Sequence, residues 1–409
     1  MRPRGRPRDP VSSRAAATAA VGVTTAGVLP GFMIGVLWVQ LRADLGFGPS
    51  LLGVLVACFF FASALSAFTA GMVVRRFGTS PVVRLSALVA AGSMLVISVA
   101  AQHTPVLVGA LVVAGWGNGI GQPASNDLIA RAVAPEHHGL AYGTKQAAIP
   151  LATMLAGVAV PLVAIPFGWR PAFAIGAGMA LLLVLTVPSG SRLPPRGATE
   201  ASEAAGPFRR AALLVLACGI ALGAATGNAL GSFFVATAVD SGISPGTAGV
   251  LAAVASASGA AARIAFGWLA DRVRTRWLLV VAAQMAIGGL SYALLGTGVE
   301  VLIACGAVIG YCTGWAWAGL STYSVARMHP GMTARATSIT QGGMGAGAAL
   351  GPLLFGALVA ATSYPVAWFT TAAVSVVAGA VVVQARRMLM RDRPGLVAAQ
   401  QLRRRARHA

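Results

Sequence analysis

Twelve apolar runs, each close to the length that crosses a bilayer, fill most of this 409-residue chain. They lie at 16–40, 51–74, 82–101, 106–130, 143–165, 171–188, 211–236, 247–269, 277–296, 300–325, 336–361 and 366–385. A spanning helix needs about 20 consecutive apolar residues. Spanning strands would instead alternate over about ten residues. Lipid offers no partner to a free backbone N–H or C=O, so runs this long have to be helical. Only 10% of the residues are charged, where a soluble domain carries about a quarter. The break between the fifth and sixth runs is short, from Pro166 to Arg170.

The runs are written twice. Asp44, Gly46, Pro49 and Gly53 recur 196 positions later as Asp240, Gly242, Pro245 and Gly249. The same offset relates Gly31 and Gly35 to Gly227 and Gly231, Gly71 to Gly267, Arg76 to Arg272, and Arg131 to Arg327. One register kept across four helix regions implies two copies of one unit, an arrangement from which many secondary transporters are built. The reading is an all-α membrane protein: twelve transmembrane helices in two pseudo-symmetric six-helix bundles. The N-terminal bundle covers 16–188 and the C-terminal one 211–385. A Pro- and Gly-containing segment, 189–210, links them. Basic tails, 1–15 and 386–409, flank them.

The net charge of +20 raises the question of nucleic acid, and its placement answers it. Twenty-seven of the 30 basic residues fall on one side of the expected topology. Arg42 and Arg170 fall on the other, and Arg263 lies inside a span. That is the positive-inside pattern and puts both termini in the cytoplasm of a cell-membrane protein. The lipid bilayer is the partner the tails imply; no soluble module offers itself for reading bases. Cys58, Cys218, Cys305 and Cys312 all sit in apolar runs without C-x-x-C spacing, as small packing residues do. Gly-rich stretches in the fourth run (Gly115, Gly117, Gly119, Gly121) and the eleventh (Gly342, Gly343, Gly345, Gly347, Gly351) allow close helix approach.

Between the eighth and ninth runs stands Gly267-Trp268-Leu269-Ala270-Asp271-Arg272. The repeat-related phrase Gly71-Met72-Val73-Val74-Arg75-Arg76 has Arg75 where the Asp would be. Phe167-Gly168-Trp169-Arg170 precedes the sixth run, and Gly347 to Gly351-Pro352 forms a G-x-x-x-G-P phrase in the eleventh. These resemble motifs of the major facilitator superfamily, whose G-x-x-x-D-R signature follows the second helix and often the eighth. The fifth run departs from the antiporters of that family, with Ala156-Gly157 where their G-x-x-x-G-P would stand. The resemblance implies a secondary transporter that rocks two bundles about a central site.

A helix N-terminus carries partial positive charge. By the repeat symmetry, Asp271 should meet the start of the fifth helix, near Ala141 to Lys145. Arg75 cannot do the same at the eleventh, so an asymmetric inner gate is expected. It comprises Gly71, Arg75 and Arg76 on one side and Gly267, Asp271 and Arg272 on the other. Lys145, the only lysine, and Asp127 stand close by and are expected to pair; the alternative is that Lys145 makes a secondary contact to an anion in the inward-open state. Asp44 and Asp240 are expected to cap or orient the outer starts of the second and eighth helices.

Arg263 is the clearest charge within a span. A central Arg costs about 2.5–3.5 kcal/mol on insertion scales, so it should face a cavity or a partner. Two roles are open: pairing with an anionic solute, or snorkelling and bonding helix carbonyls. If the family architecture holds, the site is lined from the first, fourth, seventh and tenth helices. Those offer Trp116, Asn118, Asn228, Tyr311, Trp315 and Trp317, with Trp38 belonging either to that site or to the interfacial belt. The mid-spans hold no Asp or Glu, the group that proton-coupled exporters of cations use. The expected activity is alternating-access transport of a small anion or organic acid, with protons as the coupling ion to consider. The alternative is proton-coupled efflux of drugs or metabolites. No nucleophile with a base, metal cluster or cofactor loop is evident, so neither an enzyme nor a cofactor is expected. A monomer is.

Overall fold

The structure, a computed structural model, describes residues 13–46, 48–187, 210–273, 275–329 and 332–391. The linker 189–210 and both tails fall almost wholly outside it. Twelve long helices cross the molecule: α1 (Ser13–Val36), α2 (Pro49–Phe77), α3 (Thr79–Ala100), α4 (Thr104–Ala132), α5 (His138–Phe167) and α6 (Trp169–Thr186) in one bundle. The other has α7 (Arg210–Asp240), α8 (Pro245–Arg272), α9 (Trp277–Leu295), α10 (Glu300–Met328), α11 (Thr333–Ala361) and α12 (Tyr364–Arg391). The helices run a few residues past the apolar runs, because polar and basic end residues still satisfy helix geometry where lipid gives way to water. α12 continues beyond 385 to Arg391.

The duplication is visible in backbone detail. Gly46 and Gly242, at matching positions, both take left-handed dihedrals, with φ of 71° and 95°. Each lets the chain reverse before Pro49 or Pro245 opens the next helix, the first-turn position that suits proline. The two bundles meet along pairs that the twofold exchanges, α5 on α8 and α2 on α11, with α1 against α7 between them. α1 is buried almost all round, as expected of a helix with apolar or small residues on every face.

Small residues set these distances. In α11, Gly343, Gly347 and Gly351 lie on the backbone of Ala217, Ala221 and Ala225 of α7. Their four-residue spacing keeps them on one face.

The start and end of α12 and α1 define two faces of the molecule. The face carrying the start of α1 and the end of α12 is called the tail face below, and the opposite one the far face. On the far face, Asp44 does not cap α2. It lies in the last turn of a short helix, Trp38–Leu45, and pairs with Arg170 at 2.7 Å, while the Trp169 indole donates to it at 3.1 Å. These bonds hold the Asp44 carboxyl below its ordinary value, Arg170 contributing most. The α8 cap is Ser244, whose hydroxyl accepts from the Thr247 N–H, rather than Asp240. Trp38 is buried, so it belongs to the core and not to an interfacial belt.

Candidate functional site

The seam between α5 and α8 brings the polar groups of the two bundles together. At its tail end, both Asp271 carboxylate oxygens accept backbone N–H groups, from Gly139 and Leu140, each at 2.8 Å. These are orphan donors of the first turn of α5, with the helix dipole adding to the attraction. The contact falls at the very start of α5, just ahead of the expected stretch. It forms because Gly139, Gly143 and Gly267 let the backbones touch. A Cβ on Gly267 would stand 2.5 Å from the Gly139 carbonyl oxygen and 3.0 Å from the Gly143 Cα. Arg272 plays no part in this contact and lies over the Trp268 ring at 4.1 Å.

The equivalent place on the other seam is different. Arg75 and Arg76 are exposed, Arg75 lies along its own helix beside Gly71, and Arg76 sits over Phe77. α2 and α11 touch closely toward the far face and the middle, at Gly53 with Pro352, Gly356 with Pro49, and Gly345 with Ala64. Nearer the tail face, Ser338 and Gly342 of α11 are exposed.

Deeper along the α5–α8 seam, the Arg263 guanidinium is buried, with 2% of its surface exposed. It donates to the Gln146 carbonyl of α5 at 2.7 Å and to the Trp315 carbonyl of α10 at 2.5 Å. Both acceptors have local causes. Pro150 has no N–H, so the carbonyl four residues before it lacks its helical donor. In α10, a π-turn at Gly310–Gly314 and a break through Trp317 interrupt the helix, and π-bulges of this kind gather at functional sites. Arg263 also lies 5.3 Å from the centre of the Trp315 ring, while its Nε has no partner. The second of the two roles open in the sequence, bonding to helix carbonyls, is thus realised in this conformation. Beside it, a crevice with room for about one water is bounded by Gly143, Phe266, Gly319 and Tyr323. Thr153 and Ser256 share a hydrogen bond across the same seam at 2.8 Å, and Tyr311 adjoins them.

Lys145 does not pair with Asp127. Asp127 instead binds Arg131 at 2.8 Å and the Thr79 hydroxyl at 2.8 Å. Lys145 donates to the Gln122 side chain at 2.8 Å, the Asn126 side chain at 2.7 Å and the Gln122 carbonyl at 3.3 Å. The reason is helix phase: Asn126 and Gln122 are one turn apart on the α5-facing side of α4, and Asp127 is rotated about 100° from Asn126.

The expected lining residues separate into three groups. Tyr311 and Trp315 stand with Arg263, and Trp315 packs on Gly227 and Gly231 of α7 and on Phe32 of α1, ring centres 5.3 Å apart. Asn118 is buried in the N-terminal bundle, donating to Ser63 at 2.8 Å and accepting from Gln122; Asn228 donates to the Ala224 carbonyl of its own helix. Trp116 and Trp317 depart from the expectation. Trp116 is 44% exposed and does not join the buried Arg263 group; two positions separate it from Asn118 and turn it to the other side of α4. Trp317 is buried against Gly223 and Met285 inside the C-terminal bundle. Gln122, Asn126, Gln146 and Ser256, which bond Lys145, Arg263 and Thr153, are not singled out in the sequence. Polar residues one turn apart facing the only lysine were the available signal.

The comparisons agree with this architecture. A model of the Major Facilitator Superfamily matches residues 20–234 and again 215–406. An uncharacterised MFS-type transporter of Mycobacterium tuberculosis is 29% identical over 364 residues, covering 85% of this chain and 80% of its own. Human monocarboxylate transporter 11 is 26% identical over 229 residues, 54% of this chain and 48% of its own. Among solved structures, a bacterial homologue of the human lysosomal transporter Spinster, inward-facing and occupied, superposes with a TM-score of 0.70 at 19% identity, covering 92% and 97% of the two chains. The nucleoside transporter NupG does so at 0.71 and 14%, covering 91% and 99%. Those two likenesses are of fold. With a family model matched twice along its length and twelve spans in two bundles, this integral membrane transporter of small solutes belongs to the Major Facilitator Superfamily.

Proposed function

We propose that the protein carries a small anion, most simply an organic acid, by rocking its two bundles about the α5–α8 seam. The observation that carries this reading is the buried Arg263 guanidinium, with a second buried basic side chain, Lys145, and no carboxylate bound to either among the described residues. An uncompensated buried charge is costly, and carbonyl and amide oxygens offset only part of that cost. An anion would complete the site. Separating α5 from α8 would break the Arg263 bond to Gln146 and free a guanidinium edge for a carboxylate, the geometry that arginine matches bidentately. The likeness to a monocarboxylate transporter over about half the chain agrees with this reading. The mid-spans hold no Asp or Glu to attract a cationic drug, which disfavours the efflux alternative. The Asp271 contact acts as the latch that must open at the tail face. That face is cytoplasmic by its basic residues, the location is the cytoplasmic membrane, and the working unit is a monomer.

The test is a thermal-shift screen of the purified protein against small carboxylates, inorganic anions and cationic dyes. Stabilisation by anions, lost in Arg263→Gln and weakened at least tenfold in Arg263→Lys, is expected. Stabilisation by the dyes alone would overturn the reading.

A further inference from the structure

The chain uses arginine 29 times and lysine once. A guanidinium keeps its charge throughout any cycle, whereas an amine is able to give its proton up. The single amine is also the most enclosed cation of the N-terminal bundle, 1% exposed. Its three contacts are all neutral amide oxygens: Gln122 Oε1, Asn126 Oδ1 and the Gln122 carbonyl. An ammonium fills all three. A neutral amine keeps two N–H bonds for the two nearer oxygens, so the cage fits either form. The next residue, Gln146, carries the carbonyl that holds Arg263.

We propose that Lys145 is the proton-carrying group of the transport cycle. This rests on the anion reading above. The Nζ lone pair takes a proton from water on one face as the anion binds, and returns it to water on the other as the anion leaves. The bound proton balances the charge of the bound anion, and no electrons move. The carboxylates of the described residues lie near the ends of the helices, at Asp44, Asp240 and Glu300 toward the far face and at Asp127, Glu136 and Asp271 toward the tail face. None contacts Nζ. The charged and titratable groups on the packed elements are otherwise engaged. On α4, Asp127 and Arg131 close on each other. On α8, Asp271 and Arg263 are held by the α5 backbone. On α5, His138 and Tyr142 pack together a turn below. On α10, Arg327 donates to Tyr323. Arg14 stands at the exposed start of α1.

Having one lysine makes the test direct. Full-length protein labelled at lysine Cε with carbon-13 gives one lysine resonance, absent in Lys145→Arg. The probes are acetate, lactate, oxalate and nitrate. The resonance should move in one proton-dependent step between about pH 5 and 9, where a proton carrier has to work. A stabilising anion should raise its midpoint by about one pH unit or more, since proton and anion then favour each other about tenfold. Thermal shifts by the same anions at pH 6 and 9 should differ in the wild type and agree in Lys145→Arg. A resonance that does not move overturns the proposal. Anion shifts equal at both pH values overturn it too, while leaving the anion reading in place. If no anion stabilises the protein, the anion reading falls and the coupling falls with it.

Discussion

Gly267 stands where α8 crosses α5 so closely that a methyl group would press on the Gly139 carbonyl. The close crossing is what brings the Asp271 carboxylate to two N–H groups at once. Gly267→Ala should therefore push the helices apart and weaken the latch as well as the packing. Overpacking of this kind costs about 1–3 kcal/mol. A lower melting temperature, together with faster thiol labelling of a Ser338→Cys reporter at the tail face, is the expected result. Asp271→Asn tests the latch without the bulk. The amide has one oxygen for two donors and no net charge, so the reporter should label faster while stability falls less than in Gly267→Ala. Equal labelling would show that the contact orients the chain without gating it. At the far face, Asp44 tests charge alone. Its folded carboxyl titrates below the unfolded value of about 3.9, so the stabilisation is present above that pH and is lost as pH falls through the folded value. Melting temperatures of wild type and Asp44→Asn should differ at neutral pH, by the small amount an exposed pair gives, and converge below about pH 4.

At the scale of elements, two irregular helices hold the site. Pro150 in α5 leaves the Gln146 carbonyl without its helical donor, and the π-turn of α10 positions the Trp315 carbonyl; Arg263 ties both together. Pro150→Ala would return an N–H to the Gln146 carbonyl and compete with the guanidinium. Under the anion reading, a freer Arg263 should bind anions more tightly, seen as a larger anion-induced thermal shift. Much of this level was legible in the sequence. Length and hydropathy gave the spans, the 196-residue offset gave the two bundles, and the Asp271 motif pointed to the start of α5. The glycines of the eleventh run marked a close-approach surface, but not that α7 is the helix that lies on it. What escaped was rotation about a helix axis and partnership across distance. Trp116 and Asn118 lie two positions apart in one apolar run, yet one is exposed and the other buried. Lys145 sits opposite Asn126 rather than its neighbour Asp127. Asp44 finds Arg170, 126 positions on, through a chain path that no local pattern encodes.

At the scale of the whole molecule, the two seams are not equivalent although the fold is duplicated. The α5–α8 seam is closed from Gly139 at the tail face to Gly157, packed against Gly249 and Ala253, toward the far face. The α2–α11 seam is closed by Gly53 against Pro352 and by Gly356 against Pro49 and Gly53, with Gly71 and Gly342 open nearer the tail face. Between them, Gly35 meets the Ser232 backbone and Phe32 meets Trp315, which plugs the far half of the centre. Arg75 stands where the repeat has Asp271, so under the latch reading opening at the tail face should begin on the α2–α11 side, with α5–α8 serving as the hinge until the Asp271 contact parts. A cysteine pair at Gly53 and Leu353 would bridge the far end of the α2–α11 seam; a Cβ on Gly53 would lie 3.3 Å from the Leu353 Cα but 2.5 Å from the Pro352 carbonyl oxygen, so the reduced pair is the control for overpacking. Cross-linking that pair should prevent far-face opening and so stop net transport. Labelling of a Gly342→Cys reporter from the tail face should persist in the cross-linked protein. Loss of that labelling on cross-linking would mean that the two ends of the seam close together, and the one-sided hinge would have to be abandoned.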